Sequence, residues 1–386
     1  MTRFFTSTLI AAALPLIAQA QAQAQGPAPV AGDAGWRECA ALADGQARLV
    51  CFDQWAGRQA WAAPAASANA QPVDVVAITP ATPLAGLKPP DAADDTPGDG
   101  CRGTDYTTLS RFWELEAGTD CGALRFRGYR PMSVSVVGSD SVNQRPTSAS
   151  PGHSASQAAN YRKTEMRLQL SVRTKLAKGL LTPEDSQRRD SLWFGYSQQS
   201  YWQLFNADLS RPFRNTDHEP EFMYVYPTDA SLPGGWRWRY SGVGLVHQSN
   251  GQSLPLSRSW NRVYLMTGLE LQDRWYVNAR IWKRVHESRN EDDNPDIGNY
   301  VGRAELGLGW NVNQNHTLTF TARHSLGSTA RGSVRLDWLH RLGTRWVGAS
   351  SNLRLHTQLF SGYGDSLIDY NRKRTVFSVG VSLLDF

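Results

Sequence analysis

The chain has 386 residues, a formal charge of +5, 41% hydrophobic and 19% charged residues, room for one large domain and something smaller. Its mean hydropathy is −0.44, and past the N-terminus no run of about 18 apolar residues offers a membrane-spanning helix, so a helical membrane protein is excluded. Yet 14 Trp, 13 Tyr and 33 Gly against 4 Cys leave an aromatic excess that an ordinary soluble enzyme does not need.

Residues 1–20 read as a secretory signal: Arg3 supplies the positive start, Leu9 to Ile17 the apolar stretch and Ala18-Gln19-Ala20 a small-x-small cleavage site. Export exposes cysteines to an oxidising compartment. Proximity pairs Cys39 with Cys51 and Cys101 with Cys121, although four cysteines allow three connectivities. A zinc site is disfavoured because no Cys-x-x-Cys spacing is present. Residues 21–60 are expected to form a small periplasmic cysteine-containing segment, and 61–100 an Ala/Pro-rich linker in which seven prolines break any regular element. Residues 101–386 remain for the main domain.

From Ala123 onward apolar and polar residues alternate. Met166, Leu168, Leu170 and Val172 interleave with Arg167, Gln169, Ser171 and Arg173, and Val334, Leu336 and Trp338 with Ser333, Arg335 and Asp337; period-two segments are strands with one apolar face. The pattern predicts about twelve strands, near 124–137, 164–176, 191–204, 221–227, 236–249, 260–271, 275–285, 300–311, 316–325, 332–341, 351–361 and 374–384. Several are long enough to cross a bilayer at a tilt. Long connections (138–161, 205–220, 250–259, 286–299, 362–373) contrast with short ones (272–274, 311–315). An even strand number with long loops at one end and short turns at the other marks an outer-membrane barrel. The predicted fold is therefore all-β: a twelve-stranded antiparallel transmembrane β-barrel with an N-terminal periplasmic extension. A soluble β-sandwich or lipocalin-like barrel, the rival reading, has shorter strands and a second face covered by protein.

Chemistry concentrates at 244–262. Asn250-Gly251 and Pro255 punctuate a hairpin loop. If the hairpin is symmetric about Leu254, His247 faces Asn261 and Ser249 faces Ser259, with opposed Cβ atoms about 4.5–5.5 Å apart. His247 and Ser249, two apart on one strand, share a face. Ser, His and Asn thus form a chain of nucleophile, general base and orienter. Asn261 has the parity of Val263, Leu265 and Leu269, and His247 that of Val243 and Leu245, so the triad points outward to lipid at the loop end. Arg237 and Arg239, on the same parity as His247, shorten that apolar stripe. Taken alone, His-x-Ser is a weak motif, and a lone His at a strand end is more often a surface residue.

The segment resembles the active-site motif of the outer membrane phospholipase A family, His-x-Ser-Asn-Gly followed by Ser-Arg-Ser-Trp-Asn-Arg. The resemblance continues through Tyr201-Trp-Gln-Leu204, Pro212-Phe-Arg214, Glu219-Pro220, Asp292-Asp-Asn-Pro-Asp-Ile297 and Ser361-Gly-Tyr-Gly-Asp-Ser-Leu-Ile-Asp-Tyr-Asn371, in matching order from about Phe112 to Phe386. It implies a calcium-dependent acyl hydrolase, a phospholipase A1/A2 active as a homodimer in the outer membrane, that cleaves both acyl positions of glycerophospholipids and also lysophospholipids. It implies Ser249 as nucleophile, His247 as general base, Asn261 as orienter and the Gly251 backbone N–H in the oxyanion hole. Ser257 matches a calcium-ligating hydroxyl, Gln252 a position that ligates through its backbone carbonyl, Ser210 a ligand donated across the dimer, and Gln198 a polar residue of the dimer interface. Calcium suits such oxygen donors. Gln252 and Leu254 stand where the family's best-known member has Arg and Asp, so a carboxylate is missing near the metal and weaker calcium binding is expected.

Asp292, Asp293 and Asp296 lack EF-hand order and are expected to form a solvated charged loop. The Arg-rich strand faces are expected to turn inward and pair with Glu165, Glu270, Glu305 and Asp337 rather than bind nucleic acid. Two other functional classes stay open: a non-enzymatic porin or structural barrel, and a lipid-binding adhesin that acts through the N-terminal segment.

Overall fold

The computed structural model describes residues 35–59, 105–288, 291–343 and 352–383. The signal at 1–20, the linker at 61–100, Cys101 and the last three residues lie outside them. Near the N-terminus, helices α1 (Gly35–Ala40) and α2 (Gly45–Gln59) are joined by the Cys39–Cys51 disulfide, with Asp44 Oδ1 accepting the Ala47 N–H at the start of α2 (2.7 Å). Cys121 is also disulfide-bonded.

The larger unit begins with α3 (Thr108–Trp113) and a short strand β1 (Phe126–Gly128). There follow β2 (Met132–Ser139), β3 (Thr164–Lys178), β4 (Ser191–Trp202), β5 (Phe213–Ser231), β6 (Arg237–Ser249), β7 (Ser259–Leu271), β8 (Trp275–Arg284), β9 (Ala304–Asn311), β10 (His316–His324), β11 (Gly332–Arg341), β12 (Leu353–Gly362) and β13 (Arg374–Leu383). Each of β2–β13 pairs antiparallel with its sequence neighbours, and β13 returns to β2, closing a twelve-stranded barrel. Closure removes every free edge, the condition for strands to cross lipid. No helix is long and apolar enough to cross a membrane among the described residues.

The outer surface carries Val134, Leu170, Phe222, Leu245, Leu265, Ile281, Leu306, Leu336, Leu359 and Phe377, all exposed, an apolar belt far larger than a soluble monomer shows. At the short-turn end Trp275 and Trp310 stack at 4.8 Å on adjacent strands, with Trp238 and Trp338 also turned outward, as in the aromatic girdle of such barrels. The lumen is charged and paired: Arg323 with Glu305 (2.7 Å), Arg335 with Asp337 (3.2 Å), Arg214 with Glu165 (2.9 Å) and Arg239 with Glu270 (3.2 Å).

Three differences from the sequence expectations have physical causes. The first strand is split: β1 and β2 both lie along β3 but two residues out of register, and the chain before them enters the lumen. There Leu109, Trp113 and Leu115 pack with Tyr129, Trp193, Tyr240 and Tyr264 as an internal plug, held by the α3 amides of Thr108 on Asp273 (2.6 Å) and Leu109 on Glu270 (2.5 Å). Second, β5 starts at Phe213 rather than 221. Its polar run reads as a loop, but Arg214, Asn215, Asp217 and Glu221 are buried against the lumen. Third, a bulge between Trp238 and Tyr240 shifts the phase of β6, turning Arg239 inward and Trp238 outward, so the apolar stripe beneath His247 is not interrupted there.

Candidate active site

Strands β6 and β7 pair in the predicted register: His247 faces Asn261 and Ser249 faces Ser259. Alternation puts Val246, Gly244 and Tyr264 inside and Leu245, Val263 and Leu265 outside, and His247 and Asn261 follow the outer set. The inner set locks the hairpin: a Cβ on Gly244 would lie 2.2 Å from the Tyr264 ring, and the Tyr264 hydroxyl donates to Glu221 (2.6 Å).

The ring Nδ1 of His247 lies 2.8 Å from Asn261 Oδ1, and Asn261 Nδ2 donates to Glu287 Oε1 (2.8 Å). That second bond fixes the first. With the amide nitrogen on a carboxylate, the carbonyl end faces His247, and a carbonyl only accepts, so Nδ1 carries the proton and Nε2 presents its lone pair. Ser249 is two residues further along the same face of β6. Glu287 is itself held by Arg284 (3.0 Å), and the Val285 N–H donates to the Asn261 carbonyl (2.8 Å), so the β8–β9 connection runs along the rear of the site.

The hairpin loop is shaped by Asn250, which is buried. Its Nδ2 donates to the Leu256 carbonyl (2.8 Å) and its Oδ1 accepts the Arg258 N–H (2.9 Å). Gly251 has φ +60°, a left-handed conformation that a side chain would strain, and it directly follows Asn250 beside His218. Arg258 is fully buried and donates to the carbonyls of Ser257 (2.6 Å) and His153 (2.9 Å), tying the hairpin to the β2–β3 loop.

The expected solvated loop at 292–296 is instead packed against this hairpin. Asp293 accepts from Ser257 Oγ (2.7 Å), Ser259 Oγ (3.1 Å) and His153 Nε2 (3.0 Å), and Asp292 and Asn294 are buried. The loop reads as solvated only because its hydrogen-bond partners come from distant segments. For a hard cation the donor set fits in chemistry. The Ser257 hydroxyl has the Asp293 carboxylate beside it, while Leu254 is exposed, and the Gln252 side chain is committed to the Arg214 carbonyl (3.1 Å) and Asn215 (3.1 Å), leaving its backbone carbonyl free of side-chain competition. Among the described residues no group of three His, Cys, Asp or Glu side chains is arranged for a metal; serine and backbone oxygens fall outside that class. Ser210 lies after the short helical turn Ala207–Leu209 in the β4–β5 loop and makes no hydrogen bond to the hairpin within the chain. Gln198 faces outward from β4, opposite the exposed Leu170, and is hydrogen-bonded to Tyr196 (3.1 Å) and Ser200 (3.1 Å).

Two neighbours of the site carry no local motif. His218 is the β5 partner of Ser249 and its Nδ1 lies 2.7 Å from the Tyr196 hydroxyl. Glu287 sits in a loop whose distance from Asn261 in sequence conceals their contact. The β5 register would have pointed to His218 had the polar run been read as strand; no sequence signal points to Glu287. The other recurring motifs lock the loop end. Tyr201 and Gln199 donate to the Asp365 carbonyl (2.6 and 2.9 Å), while Asp369 accepts from Arg214 (3.1 Å) and Arg374 (2.9 Å), folding residues 363–373 into the lumen.

A twelve-stranded barrel with this outward constellation defines a class of membrane enzyme, and comparison with known proteins agrees. The family model for phospholipase A1 matches residues 109–383. A putative phospholipase A1 of Neisseria meningitidis serogroup B is 34% identical over 361 residues, covering 90% of either chain. Phospholipase A1 of Escherichia coli K12 is 38% identical over 59% of this chain and 72% of its own. Among solved structures, outer membrane phospholipase A from Escherichia coli superposes with a TM-score of 0.58 at 34% identity, covering 68% of this chain and all of that one; an active-site mutant of it, asparagine to alanine, matches equally at 33% identity over 69% of this chain and 94% of that one. The Salmonella typhi outer membrane phospholipase dimer with bound calcium gives 0.58 at 32% identity over 68% of this chain and 93% of that one. The chain belongs to the phospholipase A1 family, the outer membrane phospholipases A. It is a phospholipase, a hydrolase built as a transmembrane β-barrel of the outer membrane.

Proposed function

We propose that the protein is a calcium-dependent serine esterase that hydrolyses both the sn-1 and sn-2 acyl esters of glycerophospholipids, and those of lysophospholipids, as a homodimer. The observation that carries this reading is the His247–Asn261 bond on the lipid-facing side of the β6–β7 hairpin, two residues from Ser249. A serine hydroxyl is too weak an acid to attack an ester unaided. His247 Nε2 removes its proton, Ser249 Oγ forms the acyl-enzyme, and the imidazolium returns the proton to the departing alcohol; water then attacks the acyl group by the same route. Asn261, oriented by Glu287, holds Nδ1–H throughout, and the Gly251 N–H faces the developing oxyanion. Calcium, when bound, adds positive charge near that oxyanion. Ser257, the Gln252 carbonyl and Asp293 would hold it, with Ser210 contributed by the partner.

An asparagine belongs to the active site of the E. coli relative and calcium to the Salmonella typhi dimer, which supports these assignments. Gln198, a polar side chain facing lipid, is favoured where a second chain covers it. An outward site admits a substrate that stays in the membrane. A porin reading is disfavoured because the plug and residues 363–373 enter and obstruct the lumen from its two ends. We further assign residues 1–20 to a cleaved signal, 21–60 to a periplasmic segment and 61–100 to its linker.

The test is Ser249→Ala in detergent-solubilised protein, assayed with and without excess chelator. The variant is expected to remain folded and inactive, and the parent to lose activity in chelator. Equal activity of variant and parent overturns the nucleophile; parent activity undiminished in chelator overturns the metal.

A further inference from the structure

The lumen follows one rule almost everywhere, that each arginine meets a carboxylate, and the short-turn end departs from it. There a cavity of about 700 Å³ opens between the plug and the strands β9–β12. Arg341 of β11 and Arg354 of β12 both line it and are direct cross-strand partners, sharing the inward parity of Leu339 and His356, which are buried. Like charges opposed on adjacent strands, with Cβ atoms about 4.5–5.5 Å apart, are destabilising.

Nothing among the described residues offsets them. Neither guanidinium makes a hydrogen bond or ion pair with a carboxylate, and the Nε and Nη1 of Arg354 are buried without partners. Arg111, in the last turn of α3, lines the same cavity and has a buried, unpartnered Nε. The acids nearby are already engaged. Asp337 accepts from Arg335 (3.2 Å), His356 (2.9 Å) and Gln358 (2.6 Å), and Asp273 caps α3 through Thr108 (2.6 and 2.8 Å). Three guanidiniums therefore line one cavity with donors to spare, at the opposite end of the barrel from Ser249.

The geometry points to an oxyanion site here, for a phosphate group held by the Arg341–Arg354 pair with Arg111 closing from the plug. A tetrahedral dianion removes the repulsion between the paired cations, and two planar forks match its oxygens better than ammonium groups would. The cavity exceeds the size of a lone ion, so the phosphate is either free or the end of a small phosphomonoester. The shared chemistry is the same, and the probes separate the sources.

The experiment titrates the full-length, detergent-solubilised protein with sodium phosphate and, separately, with glycerol 3-phosphate, by calorimetry and thermal melting at constant ionic strength, with sodium chloride as the control. One saturable site per chain is expected. Arg341→Gln and Arg354→Gln each weaken it at least tenfold and the double variant abolishes it, with phospholipid hydrolysis unchanged. Arg354→Lys, which keeps the charge but loses the fork, weakens binding by an intermediate factor. Equal affinity for both probes assigns the free ion, and tighter glycerol 3-phosphate binding assigns the phosphomonoester. The absence of saturable binding, or equal stabilisation of parent and double variant by phosphate, overturns the site.

Discussion

Inside the barrel Glu165, Arg214, Asp369 and Arg374 bond one another with almost no exposure; outside it, on the other face of β6 and β7, His247, Asn261 and Glu287 form a single chain of side chains open to the lipid side. The lumen network is branched, so each charge has several partners and its removal strands the others in a low-dielectric interior. The outer chain is linear and partly exposed. On the proposed mechanism its members cost little to remove from the fold and much to remove from the chemistry, because each passes its orientation to the next.

That contrast makes ordered predictions. The largest effect is on activity: His247→Ala should lower hydrolysis by roughly 10³-fold or more, since base and nucleophile act as a unit, with urea unfolding shifted by no more than about 0.5 kcal/mol, as for other exposed positions. A comparable loss of stability would show that the outer chain is structural. The converse is Arg239→Leu. This buried cation bonds Asp229 (3.1 Å) and Glu270 (3.2 Å) and also pairs with Glu116, and removing one member of such a group costs about 3–5 kcal/mol, measured by denaturant unfolding, while hydrolysis per folded molecule is retained.

A smaller effect is expected at Glu287→Gln. The amide can no longer hold Asn261 by charge, and we expect activity to fall about tenfold, below the roughly 10²–10⁴-fold that a proton-transferring group itself contributes. Loss of a nearby negative charge disfavours the imidazolium, so the acid limb of the pH–rate profile should move to lower pH. An unmoved limb would reduce Glu287 to a structural role. The smallest effect lies at the short-turn end. Asp190 is buried, which pushes its pKa up, but hydrogen bonds from Thr182, Tyr224 and the Leu181 N–H outweigh this and bring it from 3.8 to about 2. A depressed carboxylate stabilises the fold above its unfolded value and loses that contribution as pH falls toward the folded one. The parent should therefore lose stability between about pH 4 and pH 2, and Asp190→Asn should show a flatter profile over the same window, measured as the acid denaturation midpoint.

Much of this was legible in the sequence because a barrel strand obeys a local rule. Alternation over Met166–Val172 or Val334–Trp338 places each residue in or out, and hairpin symmetry set His247 against Asn261 without any tertiary information. Where reading failed, long-range partners were responsible. Arg214 to Glu219 reads as a loop until the lumen that buries it is known, and Asp293 reads as solvated until Ser257, Ser259 and His153 arrive from elsewhere.

By itself the sequence determined the number of barrel strands, the outward face of the β6–β7 hairpin and the pairing of His247 with Asn261, since period-two patterning and a short hairpin connect neighbours only. Tertiary structure alone decided the rest. Closure of the barrel brought the plug under Tyr240, re-aimed Arg239 at a bulge, laid Glu287 against Asn261 and set Arg341 opposite Arg354 beside Arg111. Those contacts join residues far apart in the chain, and the physical reason they form is the enclosed low-dielectric space that only the closed sheet creates.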